Sequence, residues 1–357
     1  MKLKGSGTIG KSSVYLLKAL IAFSRDRGAD TETILQAINF DAQLLKNKQT
    51  RVPLQVLNRL WNEIADALHD PFLGLHFGEA FSKQGEGHFL FAIMKNCETL
   101  QKALQSLIRF HGLMTDIVKP SLAVINGKAH LELVNPLGEA AITGHLSDAV
   151  LSLLATVLRT ITNDEIVFEN IYITHSAVEN CDEYTRVLGV KPIFRAEMNS
   201  IVFSESELNR AFPLAHHEFG AQLHNFAEKL ENELYRSKKY SDRVLILLKN
   251  NILKGRDCSL KTVAGIFNMS IRRLQTKLKE EGFTYQALLD ETRKGIALHY
   301  MKNEEVLFCD IAFLLGFSEQ SSFNHAFKKW TGLTPGEYRE TIIGRSGNNL
   351  SRKAAEI

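Results

Sequence analysis

The sequence is short of the features that announce chemistry. Its 357 residues include four cysteines, Cys97, Cys181, Cys258 and Cys309. None stands in a C-x-x-C pair, so neither a zinc knuckle nor a disulfide framework is indicated, and a reducing cytoplasm fits. Only 7 prolines are present, and with 45% hydrophobic and 23% charged residues the composition is ordinary for a soluble globular protein. No run of 18 apolar residues occurs, so no membrane-spanning helix is expected. The stretch Val14 to Phe23 has the apolarity of a signal peptide, but Lys18 interrupts it and no small-x-small cleavage site follows. It reads as a buried amphipathic helix.

Catalytic patterns are missing as well. There is no Gly-rich phosphate loop, no G-x-S-x-G and no Cys–His arrangement with a supporting motif. The run His216 to His224 resembles a metal site only superficially. A zinc-protease helix needs H-E-x-x-H, and after His217-Glu218 the required histidine position holds Ala221. His217 and His224 are seven residues apart, two helical turns, which does not suit joint chelation. No metal and no cofactor is expected, and the chain does not read as an enzyme. Lone His88, His111, His130 and His145 are ordinary structural histidines in pattern, with the lining of an effector pocket as the alternative.

What is present is an uneven charge. Residues 1–235 hold 22 Lys and Arg against 27 Asp and Glu, a net −5; residues 236–357 hold 21 against 13, a net +8. At this length the chain has room for two or three domains with cores of their own. The basic part is a candidate for binding a polyanion.

The first half reads as α+β with a small antiparallel sheet. Helical spacing covers much of residues 12–110, with Pro53 near the start of one helix, where a missing N–H costs nothing. Ser121 to Val134 alternates around Asn126-Gly127, a hairpin signal. Leu146 to Ile161 returns to helical spacing; Ile166 to His175 and Asn199 to Ser204 read as strands. Ala221 to Tyr235 is helical, and Leu223, Phe226, Leu230 and Leu234 make a seam suited either to dimerisation or to packing on its own domain. The polar run Ser237 to Asp242 reads as a linker, and the rest, to about Arg339, is all α.

A repeat organises that second part. Val263 to Ser270 and Ile311 to Ser318 align without a gap at an offset of 48 residues. Each parses as helix–turn–helix. Ser259 and Ser270 are expected caps in the first unit, with Leu260, Val263, Ala264, Phe267, Ile271, Leu274 and Leu278 inward, a turn at Asn268-Met269 and Gly282 at the end. In the second, Ile311, Ala312 and Leu315 pack, Gly316-Phe317 turns, Ser318 caps and Gly332 follows the helix; Thr334 to Glu337 forms a capping box with Pro335 at the first helical position.

In such a unit the second helix enters the DNA major groove and its early residues reach base edges. The exposed set on the first is Arg272, Arg273, Gln275, Thr276 and Lys279; on the second it is Gln320, Ser321, Asn324, His325 and Lys328, opposite Phe323, Phe327 and Trp330. Arg pairs well with guanine and Asn or Gln with adenine, so Arg272, Gln275, Thr276, Gln320, Ser321, Asn324 and His325 are base-contact candidates. Arg273, Lys279, Lys328 and Lys329 suit phosphates.

The pattern from Ile311 to Arg339 resembles the signature of the AraC/XylS family of bacterial transcription regulators. The resemblance covers about 100 residues. It implies two helix–turn–helix subdomains joined by a long helix, here about Thr284 to Lys302, with base-reading positions at Arg272, Gln275, Thr276, Gln320, Ser321 and His325. Asn268-Met269 stands where Gly-Phe is usual in the family, and His325 where Arg is frequent. Asp70 to Glu79, Gly87 to Asp116 and Asn199 to Ser204 resemble the arabinose-binding-type regulatory domain found in ornithine-utilisation-type and virulence regulators; that label does not imply arabinose as the ligand.

The expected organisation is an effector-sensing regulatory domain over 1–218, a helix and linker over 219–242, a double helix–turn–helix domain over 243–340 and a disordered tail over 341–357. The expected function is a cytoplasmic, sequence-specific transcription regulator, nucleoid-associated when bound to DNA. Its expected partners are double-stranded promoter DNA, a small-molecule effector, RNA polymerase if it activates, and a second copy in a homodimer, with no membrane. The alternatives are a regulator that is constitutive or answers to a protein partner, and a metabolite-binding protein or sensor enzyme with incidental DNA binding.

Overall fold

The computed structural model describes residues 10–47, 50–83, 89–135, 141–178, 181–212, 217–237, 239–301 and 306–341. His88, His216, Lys302 and the tail expected beyond residue 341 lie outside them. The chain divides into two compact units, 1–234 and 235–357, each with its own apolar cluster. Among the described residues no helix is long and apolar enough to cross a membrane.

The first unit opens with strand β1 (Lys11–Ser13) and helix α1 (Val14–Asp26), then α2 (Thr31–Ala37), β2 (Arg51–Pro53) and α3 (Leu54–Leu68). In α1, Val14, Leu17, Leu20, Ile21 and Phe23 are buried, while Lys18 is exposed. Pro53 is the N-cap of α3. Helices α4 (Leu73–Lys83), α5 (Phe89–Lys95) and α6 (Leu100–Met114) follow, then β3 (Lys119–Ile125), β4 (Lys128–Val134), α7 (Gly144–Ile161), β5 (Phe168–Ile173), α8 (Asp182–Leu188), β6 (Ile193–Phe194) and β7 (Asn199–Ser204).

Five strands form one sheet in the order β3-β4-β7-β5-β6. The β3–β4 hairpin pairs Ile125 with Lys128 across Asn126 and Gly127, which both have positive φ. That is the twist a two-residue hairpin turn requires. The central strand β7 has Asn199 to Phe203 all buried, which is why it reads as an unbroken run rather than an alternation. All pairs are antiparallel except at one end, where β6 runs parallel to β5. The expected antiparallel sheet is therefore mixed at that edge: the two-residue β6 is reached through α8, a crossover that permits a parallel partner.

Helix α7 is the axis of this unit. Its residues 147–149 and 151–158 are buried on every side, and Ser152 donates to the Leu75 carbonyl at 2.8 Å. It lies unusually close to α4 because Gly74 and Gly78 remove side chains at the crossing. A methyl group at Gly78 would stand 2.5 Å from the Ala149 carbonyl oxygen.

Helix α9 (His217–Ser237) contains the boundary between the units. The second unit continues with α10 (Tyr240–Leu253), α11 (Leu260–Ile266), α12 (Ile271–Glu280), α13 (Tyr285–Tyr300), α14 (Phe308–Leu314) and α15 (Gln320–Thr331); residues 335–341 are helical again. The linker expected over Ser237 to Asp242 is largely helix: α9 ends at Ser237 and α10 starts at Tyr240, with Ser241 and Val244 already buried.

Candidate functional site

In the second unit the local chemistry sets two helix pairs. Ser259 accepts from the Thr262 N–H at 3.2 Å and starts α11; Ser270 accepts from the Arg273 N–H at 3.3 Å and starts α12. Between them Asn268 adopts φ +53°, a left-handed conformation that Asn tolerates better than most residues. In the second pair Gly316 takes the same role at φ +75°. The expected Ser318 cap is not made. The N-cap of α15 is Glu319, whose side chain accepts from the Ser321 hydroxyl at 3.1 Å but caps no helix N–H, because α15 begins one residue later than the repeat alignment implies. Gly332 closes α15 at φ +82°, and Thr334 and Glu337 exchange hydrogen bonds as a complete capping box at 2.7 and 3.3 Å.

These helices present one buried and one exposed side. Leu274 and Leu278 of α12 and Phe323 and Phe327 of α15 are fully buried; Trp330 is half-buried beside Phe317. Ile271, expected inward, is 42% exposed, since it occupies the first helical position, short of the apolar core. Arg272, Arg273, Gln275, Thr276 and Lys279 are all exposed on α12, and Gln320, Ser321, His325, Lys328 and Lys329 on α15. Asn324 differs: it is half-buried and its Oδ1 has no partner among the described residues.

Three arginines of this unit are occupied in its interior. The Arg243 guanidinium lies 4.8 Å from the Phe267 ring, 5.0 Å from Tyr240 and 5.1 Å from Tyr235. Arg293 of α13 lies 4.6 Å from the Phe317 ring, and burial lowers its pKa. Arg339 lies 4.1 Å from Phe308 and donates to the Val306 carbonyl at 2.8 Å. These are cation–π clamps on the helix–turn–helix turns and ends. They tie part of the basic charge to the packing of this unit. Tyr285 of α13 donates to the Cys258 carbonyl at 2.6 Å, and burial pushes its phenol up.

The expected seam of α9 is mixed. Ala227 is fully buried, and His224 meets the Phe110 ring edge-on at 4.9 Å, so the helix packs on its own domain. Leu223 joins that core in part; Leu230 and Leu234 are half-buried; Phe226 is 50% exposed beside Phe89.

The first unit holds a polar cluster that sequence reasoning named only at His145. Asp148 of α7, 2% exposed, accepts from the Tyr184 hydroxyl at 2.8 Å and pairs with His175 Nε2 at 2.8 Å. His175 Nδ1 lies 2.9 Å from the Ser176 carbonyl oxygen. Burial alone lowers the His175 pKa, but its hydrogen bond and ion pair with Asp148 outweigh this and raise it. Burial also pushes the Tyr184 phenol up, with Asp148 adding to it. His145, by contrast, is lowered by burial, and its Nδ1 is enclosed without a partner. Two adjoining clefts, of about 420 and 350 Å³, share Pro71 and His145. Nearby, His76 of α4 bridges Asp70 at 2.6 Å and Glu183 at 2.8 Å. His111 bonds the Ile108 carbonyl and His130 sits on β4, so neither joins the cluster. No local motif marks this site, because its residues come from α3, the turn between α3 and α4, α4, α7, the segment after β5 and α8. Among the described residues no group of His, Cys, Asp and Glu is arranged to hold a metal ion.

Comparison with known proteins agrees with both units. A model described as the arabinose-binding domain of AraC transcription regulators, N-terminal, matches residues 28–212, and a helix-turn-helix domain model matches residues 263–341. The ornithine utilization regulator of Pseudomonas aeruginosa is 25% identical over 329 residues, spanning 92% of this chain and 96% of its own. The transcriptional regulator VirS of Mycobacterium tuberculosis is 35% identical over 99 residues, 28% of this chain and 29% of its own. The crystal structure of the transcriptional regulator CdpR from Pseudomonas aeruginosa aligns over 91% of this chain and 98% of its own, at 18% identity and a TM-score of 0.40. With the regulatory-domain model spanning more than half its length and the helix-turn-helix model following it, the chain belongs to the AraC family of DNA-binding transcription regulators.

Proposed function

We propose that the chain is a sequence-specific regulator that reads promoter DNA with α12 and α15 and is controlled by a small effector held in its first unit. The reading rests on one observation. Two helix–turn–helix pairs, turned by Asn268 and Gly316 in the same conformation, each present an exposed row of donors and cations opposite buried apolar residues. Arg272, Gln275 and Thr276, then Gln320, Ser321 and His325, face bases. Asn324 joins them if the duplex supplies the donor its Oδ1 lacks. Arg273, Lys279, Lys328 and Lys329 neutralise phosphates.

Control follows from a population shift: an effector that binds one arrangement better favours it, and DNA affinity changes by the same coupling. Two copies, joined in part by the half-exposed side of α9 around Phe226, would present paired sites. RNA polymerase is the further partner if the protein activates, and the cytoplasm is where such a protein works. Electrophoretic mobility shifts with the full-length chain test this reading. Binding is expected to select one sequence from a random duplex library and to fall steeply with salt, as displaced counterions require. Equal affinity for all duplexes, or affinity indifferent to salt, would overturn it.

A further inference from the structure

We propose that the two adjoining clefts of the first unit form one binding site for a zwitterionic α-amino acid, its carboxylate at the start of α7 and its ammonium at Asp66. This rests on the reading that the first unit takes a small effector, and it assigns that effector a place and a chemistry.

Clefts of about 420 and 350 Å³ are in the size range of small-ligand sites. Their polar groups are not equivalent. Asp148 is saturated by His175 and Tyr184, and His175 has an acceptor at each ring nitrogen, so that ring is held as an imidazolium. The pair is neutral overall and fixed in place. What is left free near it is a set of donors. Thr143 caps α7 through the Leu146 N–H at 3.3 Å, and the N–H groups of Gly144 and His145, at the first helical positions, have no acceptor among the described residues. His145 lines both clefts, and its buried Nδ1 lacks the partner that such atoms ordinarily have. Free N–H donors at a helix N-terminus favour an anionic group.

The other cleft is reversed. Asp70 is engaged by Arg27, by His76 and by the Phe72 N–H. Asp66 is exposed on the same rim, and its carboxylate has neither a hydrogen bond nor an ion pair among the described residues. An unpaired carboxylate favours a cation. A dicarboxylate would set a second anion against Asp66 and Asp70, and a diamine would set a cation against the free N–H groups at the start of α7. A sugar would leave the Asp66 carboxylate unanswered. An α-amino acid answers both.

The test is isothermal titration of the full-length chain with L-lysine, L-arginine, L-glutamine and L-glutamate, followed by the decarboxylated and the deaminated analogue of whichever binds. One amino acid is expected to bind, and each analogue to bind about tenfold or more weakly, since each loses one charge-assisted contact. Asp66→Asn, an exposed change that should leave unliganded melting intact, is expected to weaken binding similarly, and His145→Ala to do so through the other end. The proposal is overturned if no amino acid binds, or if Asp66→Asn binds as well as the parent. A different ligand class that binds and alters DNA affinity would sink the amino-acid site and leave effector control standing. An amino acid that binds through Asp66 without altering DNA affinity would support the site and remove effector control.

Discussion

Asn268 and Gly316, 48 positions apart, hold the same left-handed backbone conformation at the turn of two copies of one motif, with φ +53° and +75°. The requirement belongs to the turn, and each residue meets it differently. Gly has no Cβ to clash; Asn tolerates the region and costs more. Around Gly316 a methyl group would meet only the Arg293 guanidinium, at 3.5 Å, so space is not the constraint. Gly316→Ala is therefore expected to cost about 1–2 kcal/mol through backbone strain alone. Asn268→Gly is expected to be neutral within about 0.5 kcal/mol, and Asn268→Val to cost more than either. Urea unfolding of the three variants checks the order; a neutral Gly316→Ala would show that the turn relaxes.

The crossing of α4 and α7 makes a different demand on glycine. At Gly78 the backbone is helical, and the problem is room: an added methyl group meets the Ala149 carbonyl oxygen at 2.5 Å and the Leu153 nitrogen at 2.7 Å. Neither is a flexible side-chain end. Gly78→Ala is expected to destabilise the first unit by about 1–3 kcal/mol, despite the better helix propensity of Ala. A half-buried control, Gly112→Ala in α6, where an added methyl group meets nothing within 4 Å, is expected to stabilise slightly. Thermal unfolding that ranks the two the other way would refute the close crossing.

His76 makes the stability of the first unit depend on pH. Its nitrogens face Asp70 at 2.6 Å and Glu183 at 2.8 Å, an arrangement that needs both protons on the ring. The hydrogen bond to Asp70 is the main reason its pKa is raised. A base whose folded pKa is raised stabilises fully below its unfolded value and loses that stabilisation as pH rises through the folded one. The loss should therefore begin near 6.5, the ordinary imidazole value, and continue upward. His175 contributes with the same sign, while His111 and His145, lowered by burial, contribute with the opposite sign. The informative quantity is the difference in Tm between the parent and His76→Gln, which should shrink with rising pH across this window. A constant difference would mean that the bridge does not select the charged ring.

Much of the second unit was legible because its information is local. The turn residues, the Ser259 and Ser270 caps, the Thr334–Glu337 box and the alternation of buried and exposed positions are all set within a few residues. The Asn126-Gly127 hairpin was legible for the same reason. Ser318 was misread because the repeat alignment carried a cap one residue out of register. Part of the basic charge of the second half also serves the fold: Arg243, Arg293 and Arg339 lie against rings of Phe267, Phe317 and Phe308, contacts no spacing rule shows. The cleft was illegible except for His145, since Asn62, Asp148, His175 and Tyr184 meet only through the packing of four distant segments.

Within α15 the buried and exposed positions should respond separately. Phe327 is fully buried, 5.6 Å from the Phe323 ring centroid and 5.4 Å from that of Tyr338. Phe327→Ala is expected to cost about 3–5 kcal/mol. Asn324→Ala removes an enclosed acceptor that has no partner among the described residues, and is expected to leave stability within about 0.5 kcal/mol of the parent. DNA affinity reads the other property: a loss in Asn324→Ala at unchanged Tm would mean that its amide turns to a base.

The two recognition helices should each control their own bases. Helix α13, 16 residues from Tyr285 to Tyr300, spans about 24 Å and ties the first helix–turn–helix to the second. Successive major-groove segments on one face of a duplex lie about 34 Å apart. The connecting helix is shorter than that, and side chains reaching from α12 and α15, with some bending of the DNA, make up the rest. The expected site for one protomer is two short blocks of specificity about 10 base pairs apart. Arg272 is exposed in the first turn of α12, and His325 is exposed on α15. Arg272→Ala is expected to relax preference in one block, and His325→Ala in the other, each costing about 1–3 kcal/mol against the best site. Lys329→Ala, directed at a phosphate, is expected to weaken all sequences alike and to flatten the salt dependence by about one counterion. Selection from random duplexes with the parent and the three variants separates these outcomes. If Arg272→Ala and His325→Ala relax the same block, the helices do not lie in successive grooves. If neither changes any base preference, these side chains only hold the backbone, and the readers must be sought among Gln275, Thr276, Gln320 and Ser321.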